Sequence, residues 1–348
     1  MGVSKKQMNK INKMKIISSC FWVLTSFLLA TMGIAQTVAS SSAPESSVYP
    51  VKPIRLVVPF PAGGPTDQFA RQYAQALSTQ LGKPVVVDNK SGASGAIGSL
   101  EVKNSAPDGY TLLFGTASTH VLYNLINAKP QYDSIKDFTE IAVVGDAPIV
   151  FAVSPSTKGG FKDLIEYARI NPGKLQYGSA GEGTYLHIVG ERLKYELGGL
   201  DIQHIPFRGS AQAIPALIGN QVNMTVDTLG SLINQHRSGN LRIVAIAASK
   251  RSPLIPDVPT VSEVTGLKDF QAALWNIVSA PQGLSPQVTN RLINATTQAL
   301  KNPELLEKLN SISIQPITNL TGVAATGFIA KELVSLRPVV QSAGLKKD

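Results

Sequence analysis

The segment KPIRLVVPFPAGGPTD at 52–67 constrains the fold more than any other part of the sequence. Ile54–Val58 is a short apolar run rich in β-branched residues, which predicts a buried strand. Gly63 and Gly64 then turn the chain, and the sequence PTD at 65–67 is typical of the first turn of a helix. This order places free backbone N–H groups at the carboxyl edge of a parallel sheet, where an anion such as a carboxylate can bind. An ordinary strand-to-helix connection, whose glycines serve only the chain reversal, fits the same residues.

The N-terminal residues predict a cellular compartment rather than a fold. Five lysines and no acidic residue surround the start of an apolar stretch that ends at Ala35, which indicates a cleaved signal peptide over 1–35 and a periplasmic location. Cleavage after Ala39 is an alternative. Retention as a membrane anchor and lipidation at Cys20 are further alternatives, and lipidation is disfavoured because most of the apolar stretch follows that cysteine. A Ser-rich tether over 36–48 connects the signal peptide to the folded part.

The composition without the signal peptide excludes several classes of function. The chain has 32 basic and 23 acidic residues, and loss of the five N-terminal lysines leaves 27 basic residues and a net charge of +4. This modest charge gives little support to nucleic-acid binding. The single cysteine, Cys20, lies in the signal peptide, so we expect no disulfide, thiolate nucleophile or cysteine metal site in the mature chain. About 300 residues without disulfides require a large core, which favours two domains.

Strand-like and helix-like segments alternate along the chain, which predicts parallel α/β sheets. The predicted strands are 54–58, 85–87, 111–115, 149–154, 175–179, 202–206, 222–227, 241–248, 271–279 and 312–316. The predicted helices are 67–81, 96–106, 161–170, 184–197, 211–218, 229–238, 285–300, 303–309 and 323–343.

Five segments spread over the mature chain are more specific in combination than any single motif. They are YPVKPIRLVVPFPAGGPTD at 49–67, APDGYTLLFGT at 106–116, NPGKLQYGSAGEGT at 171–184, HIPFRGSAQAIPALIGNQVNMTVDT at 204–228 and LRIVAIAASKRSPLIPDVPTVSE at 241–263. In this order they resemble the periplasmic solute receptors of tripartite tricarboxylate transporters, often called Bug receptors.

The resemblance implies a type II periplasmic binding protein fold, in which two α/β domains flank a ligand cleft. Domain 1 is then discontinuous and comprises 49–150 and 267–348, and domain 2 comprises 151–266. The chain is expected to cross between the domains near Val150 and Gly266.

In the first domain, the resemblance places the ligand against the loop that follows the first strand. The glycines of this loop let the backbone approach a ligand, Thr66 offers a hydroxyl and Phe60 forms an apolar wall. Asp67 would cap the helix, since as a direct partner it would repel a carboxylate. Thr116 and Ser118, which follow the predicted strand 111–115, either donate to the ligand or simply cap a helix. The predicted ligand-binding residues of this domain are Phe60, Ala62, Gly63, Gly64, Thr66, Asp67, Thr116 and Ser118.

In the second domain, the loop at 179–184 repeats the pattern of strand, small residues and helix start. Two opposed helix N-termini suit a ligand with a carboxylate at each end, or one carboxylate with bridging waters. Two unrelated helix caps are the alternative. Arg208 could clamp a carboxylate with two hydrogen bonds, but as ligand contacts its backbone and Ser210 rank above its guanidinium. Asp227 could cap a helix, order waters or meet a ligand amine or hydroxyl. The predicted ligand-binding residues of this domain are Ser179, Ala180, Gly181, Gly183, Thr184, Phe207, Gly209, Ser210 and Asp227.

The resemblance predicts a monomeric receptor that delivers a small carboxylate to the large and small membrane subunits of a transporter. A mono-, di- or aromatic carboxylate fits equally. An exported hydrolase or isomerase acting on small carboxylates, or a periplasmic sensor adaptor, is the alternative function. No catalytic residue, cofactor or metal is predicted, because the G-x-S-x-G elbow is absent and the histidines lack metal spacing. The run SGASGAIG at 91–98 is glycine-rich but matches neither a dinucleotide fingerprint nor a phosphate loop.

Overall fold

The computed structural model describes residues 49–346, so the predicted signal peptide and tether lie outside the described residues. The first elements are β1 (Ile54–Val58), α1 (Pro65–Leu81), β2 (Val85–Asn89), α2 (Ala96–Lys103), β3 (Thr111–Thr116), α3 (Tyr123–Ile126) and β4 (Phe138–Val153). The middle elements are α4 (Phe161–Ile170), β5 (Leu175–Ser179), α5 (Tyr185–Glu196), β6 (Ile202–Pro206), α6 (Ser210–Ile218), β7 (Met224–Thr228), α7 (Leu229–Arg237), β8 (Arg242–Ile246) and α8 (Val261–Thr265). The last elements are β9 (Ala273–Pro281), α9 (Pro286–Ala299), α10 (Pro303–Ser311), β10 (Gln315–Pro316) and α11 (Val323–Ser342). None of the helices within 49–346 combines the length and the apolar character needed to cross a bilayer.

The strands hydrogen-bond in the order β2-β1-β3-β9-β4-β7-β5-β6, and β8 and β10 also pair with β4. Strand β1 is parallel to β2 and β3, and β5 is parallel to β6 and β7. Strand β9 is antiparallel to β3 and β4, and β4 is antiparallel to β7 and β8. Two parallel groups of strands therefore flank a central antiparallel pair.

Strand β4 belongs to both groups. Its residues Phe138–Pro148 pair with β9, whereas Ile149–Val153 pair with β7. We call the part built on β1–β3, β9, β10 and the beginning of β4 the first lobe, and the part built on β5–β8 and the end of β4 the second lobe. The change of partner lies beside the predicted crossing at Val150. The domain boundaries themselves stay predictions.

The apolar core has a shared part and a part specific to each lobe. The largest cluster contains Phe151 and Tyr177 of the second lobe together with Trp275 of β9 and Ile329 of α11, so it extends beneath both lobes. A second cluster packs α1 and α9 against β1 and β3, and a third packs α6 and α7 against β4 and β8. Each lobe therefore has an apolar cluster of its own, and the largest cluster joins the two lobes.

A buried carboxyl group on β4 lies inside this framework. Glu140 is 4% exposed, and its Oε2 accepts a hydrogen bond from the Ser279 hydroxyl. The Ser279 Oγ lies 3.0 Å from Nε2 of His120. Burial raises the pKa of Glu140 to about 8, which the Ser279 hydrogen bond only partly offsets. Burial lowers the pKa of His120 to about 3, so this cluster is neutral near pH 7.

The Glu140→Gln variant should lose part of the pH dependence of stability. Between its ordinary pKa of 4.5 and the raised value of about 8, Glu140 keeps a proton in the folded state that the unfolded state releases. Stability from this group is therefore present below about pH 4.5 and is lost as the pH rises towards 8. We expect Glu140→Gln to be more stable than wild type at pH 8.5 by about 2 kcal/mol or more, and to differ little at pH 5.

Urea unfolding at both pH values measures this difference. The depressed pKa of His120 acts below about pH 6.5 in the wild type and the variant alike, so the comparison isolates Glu140. The exposed control Glu166→Gln should leave the pH profile unchanged. Parallel profiles for wild type and Glu140→Gln would show that Glu140 is ionised in the folded protein.

Candidate functional site

A cavity lies where the N-termini of α1, α5 and α6 meet between the lobes. Its volume is about 40 Å³, several times the roughly 10–15 Å³ that one buried water requires, so the cavity suits a small ligand. The lining residues are Phe60, Pro61, Gly64, Pro65, Thr66, Thr116, Ser118, Ala180, Thr184, Tyr185, Leu186, Gly209, Ser210, Ala211 and Leu274.

None of these lining residues carries a formal charge. The polar groups are side-chain hydroxyls and the backbone N–H groups of three helix N-termini, which have no partner within their own helices. Each N-terminus carries a partial positive charge from the helix dipole. The cavity can therefore hold an anion by hydrogen bonding, with apolar walls around the rest of the molecule.

The start of α1 is fixed by a network behind the cavity. Gly63 has a φ of 80°, a left-handed conformation that glycine adopts without strain, and its N–H donates to Asp67 Oδ2 over 2.9 Å. Asp67 also accepts hydrogen bonds from Arg71 and Asn89. Burial alone would raise the pKa of Asp67, but the hydrogen bonds from Arg71, Gly63 and Asn89 outweigh it and lower the pKa. Asp67 thus holds the loop while Gly64 lines the cavity.

Two first-lobe hydroxyls at the cavity also shape its walls. The N–H of Ser118 donates to Thr116 Oγ1 over 3.1 Å. The N–H of Tyr185, the first residue of α5, donates to Ser118 Oγ over 2.9 Å. Ser118 therefore connects the first lobe to a helix N-terminus of the second lobe, and a hydroxyl that accepts one hydrogen bond can also donate one.

The loop before α5 is held by side chains of the second lobe. Thr184 is the N-cap of α5, and its hydroxyl donates to the Gly181 carbonyl over 2.7 Å. Ser179 Oγ lies 2.8 Å from Nε2 of His204 and accepts a hydrogen bond from the N–H of Gly181. Nδ1 of His187 accepts from the N–H of Gly183. These contacts give Ser179 and His187 clear roles in shaping the loop.

The cleft mouth lies beside the cavity, where the loop at 91–95 reaches the second lobe. The Ser94 hydroxyl donates to the Glu182 carbonyl across the cleft. An outer depression is lined by this loop together with Gly181, Phe207 and the exposed Arg208. The glycine-rich run that matched no nucleotide motif therefore forms part of the wall of the mouth.

The structure brings together many of the residues that the sequence predicted. Those that line the cavity are Phe60, Gly64, Thr66, Thr116, Ser118, Ala180, Thr184, Gly209 and Ser210. Those at the mouth or in a neighbouring depression are Gly181, Phe207 and Gly183. Those outside the lining are Ala62, Gly63, Asp67, Ser179 and Asp227. Their assignment as ligand-binding residues stays a prediction.

Six lining residues were not predicted as part of the site. Leu186 and Leu274 are apolar residues of a helix and a strand, and in the sequence such residues cannot be told from core. Tyr185 and Ala211 lie in the first turns of α5 and α6, so the helix starts themselves were the available signal. The other two missed residues are Pro61 and Pro65. Over 49–346 no group of three or more His, Cys, Asp or Glu side chains could hold a metal ion.

Two α/β lobes around a cleft, with helix N-termini directed into it, define the type II periplasmic binding protein class. The chain matches the family model described as tripartite tricarboxylate transporter family receptor, TctC, over residues 69–345. It is 35% identical to protein BugT of Bordetella pertussis over 322 residues, which cover 92% of this chain and 98% of BugT. The chain therefore belongs to the tripartite tricarboxylate transporter receptor family, a family of periplasmic solute-binding proteins that includes the Bug proteins. The expected family and fold class are confirmed.

Two solved structures extend this comparison. A protein of R. palustris solved with adipate has 31% identity and a TM-score of 0.80, and the match covers 85% of this chain and 98% of that one. MatC from Rhodopseudomonas palustris with bound malate has 29% identity and a TM-score of 0.78, and the match covers 84% of this chain and all of MatC.

Proposed function

We propose that this protein captures a small carboxylate in the cavity between its lobes and delivers it to a tripartite tricarboxylate-type membrane transporter. The observation that carries this proposal is the convergence of three helix N-termini, from α1, α5 and α6, on one cavity without charged lining residues. Such a site favours an anion and provides no nucleophile paired with a base.

The relatives support the carboxylate as ligand class. Adipate and malate, the molecules bound in the two related structures, are both small dicarboxylates. The family to which the chain belongs is described by its role as a transporter receptor, which supports a large and a small membrane subunit as partners.

The mechanism that we infer is ligand-dependent closure of the lobes. Thr66 lies in the first lobe and Ser210 in the second, and both line the same cavity. A ligand that contacts both lobes has a higher affinity for the closed form, so binding shifts the population towards closure. The membrane partner would then recognise the closed form.

A thermal-shift screen of small carboxylates, followed by mass analysis of the incubated ligand, tests the function. A receptor should gain stability from its ligand by mass action and return the ligand unchanged. Conversion of the ligand would instead support the exported hydrolase or isomerase. No stabilisation by any carboxylate would remove the proposed ligand class.

Hydroxyls on opposite lobes should act together in binding. We expect Thr66→Val and Ser210→Ala each to weaken binding of the carboxylate found in the screen, by about 1–2 kcal/mol. The double variant should depart from additivity, because both groups stabilise the same closed state. Calorimetric titration of the two single variants and the double variant measures the coupling, with Thr297→Val on α9 as a remote control. Strict additivity would indicate that the two hydroxyls do not share a ligand.

Maturation should remove the predicted signal peptide. The lysine-rich start and the small residues Gly33 and Ala35 lead us to expect cleavage after Ala35, or failing that after Ala39. We also expect export to the periplasm. N-terminal sequencing of protein purified from its native host decides between these sites. A mature chain beginning at lipidated Cys20 would contradict a freely diffusing receptor.

A further inference from the structure

Two buried polar groups of the second lobe have unsatisfied atoms beside the cavity. Asp227 of β7 is fully buried, and its Oδ1 accepts a hydrogen bond of 2.7 Å from the N–H of Thr228. Its Oδ2 has no hydrogen-bond partner within the described residues, and the same is true of the hydroxyl of Ser210, which is 3% exposed. Ser210 lines the cavity and Asp227 does not.

Helix capping accounts for only half of the Asp227 carboxylate. Thr228 is the N-cap residue of α7, and the bond to its N–H occupies Oδ1 alone. Buried polar atoms in folded proteins almost always have a partner. The Ser210 hydroxyl is close enough to Asp227 to lower its pKa, so these two buried groups are the available partners of each other.

The surroundings of the carboxylate favour hydrogen bonding over ion pairing. Besides burial, the largest influences on it come from the hydroxyls of Ser210 on α6 and of Ser231 and Thr228 on α7 and from the N–H of Thr228. Burial raises the pKa of Asp227 to about 6, and these hydroxyls and the N–H of Thr228 partly offset the rise. Asp227 is therefore mainly ionised at neutral pH and accepts hydrogen bonds only.

An ionised Asp227 determines which way the Ser210 hydroxyl can point. When this hydroxyl donates towards Oδ2, its lone pairs are left for a group in the cavity. The wall at Ser210 then accepts a hydrogen bond, whereas the opposite wall at the start of α1 donates to an anion. One small ligand can therefore satisfy both walls if it carries an anionic group and a hydrogen-bond donor.

We propose that Ser210, oriented by Asp227, is a specificity-determining acceptor that selects carboxylates carrying an additional hydrogen-bond donor, a hydroxyl or an ammonium group. The inference rests on the proposed function, because it concerns the ligand of the same cavity. Asp227 acts through Ser210 and is a positioning residue.

Calorimetric titration of the full mature chain with matched acids tests the proposal. The pairs are lactate and propionate, malate and succinate, and 2-hydroxyglutarate and glutarate, with aspartate as the ammonium counterpart of malate. In the pair that binds most tightly, we expect the hydroxy acid to bind about tenfold more tightly than its partner at pH 7.5, equivalent to about 1.4 kcal/mol. A gain for aspartate over succinate would assign the donor as ammonium as well.

The variants and the pH profile separate this role from a structural one. Ser210→Ala and Asp227→Asn should bring the affinity ratio of the pair close to one, and the wild-type ratio should fall below about pH 6, where Asp227 takes up a proton. The control Ser134→Ala removes another buried hydroxyl that has no hydrogen-bond partner within 49–346. Ser134 precedes β4 and does not line the cavity, so this variant should leave the ratio unchanged. If Asp227→Asn does not fold, Ser210→Ala decides, with its melting curve as the check on folding.

The possible outcomes also distinguish this inference from the proposed function. Carboxylate binding without preference for the hydroxy acid, or a preference that survives in Ser210→Ala, overturns the inference and leaves the receptor function standing. Absence of binding by every acid of the panel overturns both.

Discussion

Replacing Gly230 by alanine should lower the free energy of unfolding by about 3 kcal/mol, although alanine ordinarily stabilises a helix by about 1 kcal/mol over glycine. Gly230 is the second residue of α7 in the second lobe. A Cβ atom at this position would lie 2.0 Å from the carbonyl oxygen of Ile312 and 2.8 Å from its carbonyl carbon. Because the neighbour is backbone of the first lobe, the clash cannot be relieved by a change of rotamer.

A second helical glycine provides the matched control. Gly327 of α11 is exposed, and a Cβ there would meet nothing within 4 Å. Gly327→Ala should therefore stabilise the protein by up to about 1 kcal/mol. Urea unfolding of both variants gives the comparison, and equal small effects would show that α7 does not pack on Ile312 as the structure has it.

Replacing Gly64 by valine should weaken carboxylate binding by more than tenfold, about 1.4 kcal/mol or more, with little loss of stability. Gly64 has a φ of −78° and a ψ of 170°, a conformation that any residue adopts. Its added Cβ would meet only the Pro61 carbonyl oxygen, at 3.5 Å, an ordinary contact. The valine methyl groups would occupy the cavity space that a ligand needs at the start of α1.

A graded series strengthens this test. Gly64→Ala should have a smaller effect than Gly64→Val, because it adds one methyl group to the cavity. Calorimetric titration gives the affinities, and melting curves show whether the variants fold. A folded Gly64→Val variant with wild-type affinity would move the ligand site away from this loop.

The sequence predicted the elements around the site better than the elements between the lobes. Strand β1 has the predicted bounds because an apolar β-branched run ends sharply at a proline. The beginning of β4, 138–148, was missed because Glu140, Gly145 and Asp146 interrupt its apolar pattern, and it is stabilised by antiparallel pairing with β9. The short helix α8 was also missed, although Thr260 and Glu263 form a capping box that the sequence displays.

The site shows a similar division between local and long-range information. Gly63 and Gly64 are equivalent in the sequence, and only the backbone conformation assigns the turn to Gly63 and the cavity to Gly64. Residues at helix starts could be found from local signals. Leu274 could not, because its place at the cavity depends on pairing between distant strands.

Small-angle scattering with and without the carboxylate identified by thermal shift tests the account most directly. If one ligand bridges Thr66 of the first lobe and Ser210 of the second, saturation with this ligand should reduce the radius of gyration, and Gly64→Val should need a higher ligand concentration for the same change. Tight binding of the carboxylate with an unchanged radius of gyration would contradict a receptor that closes on its ligand.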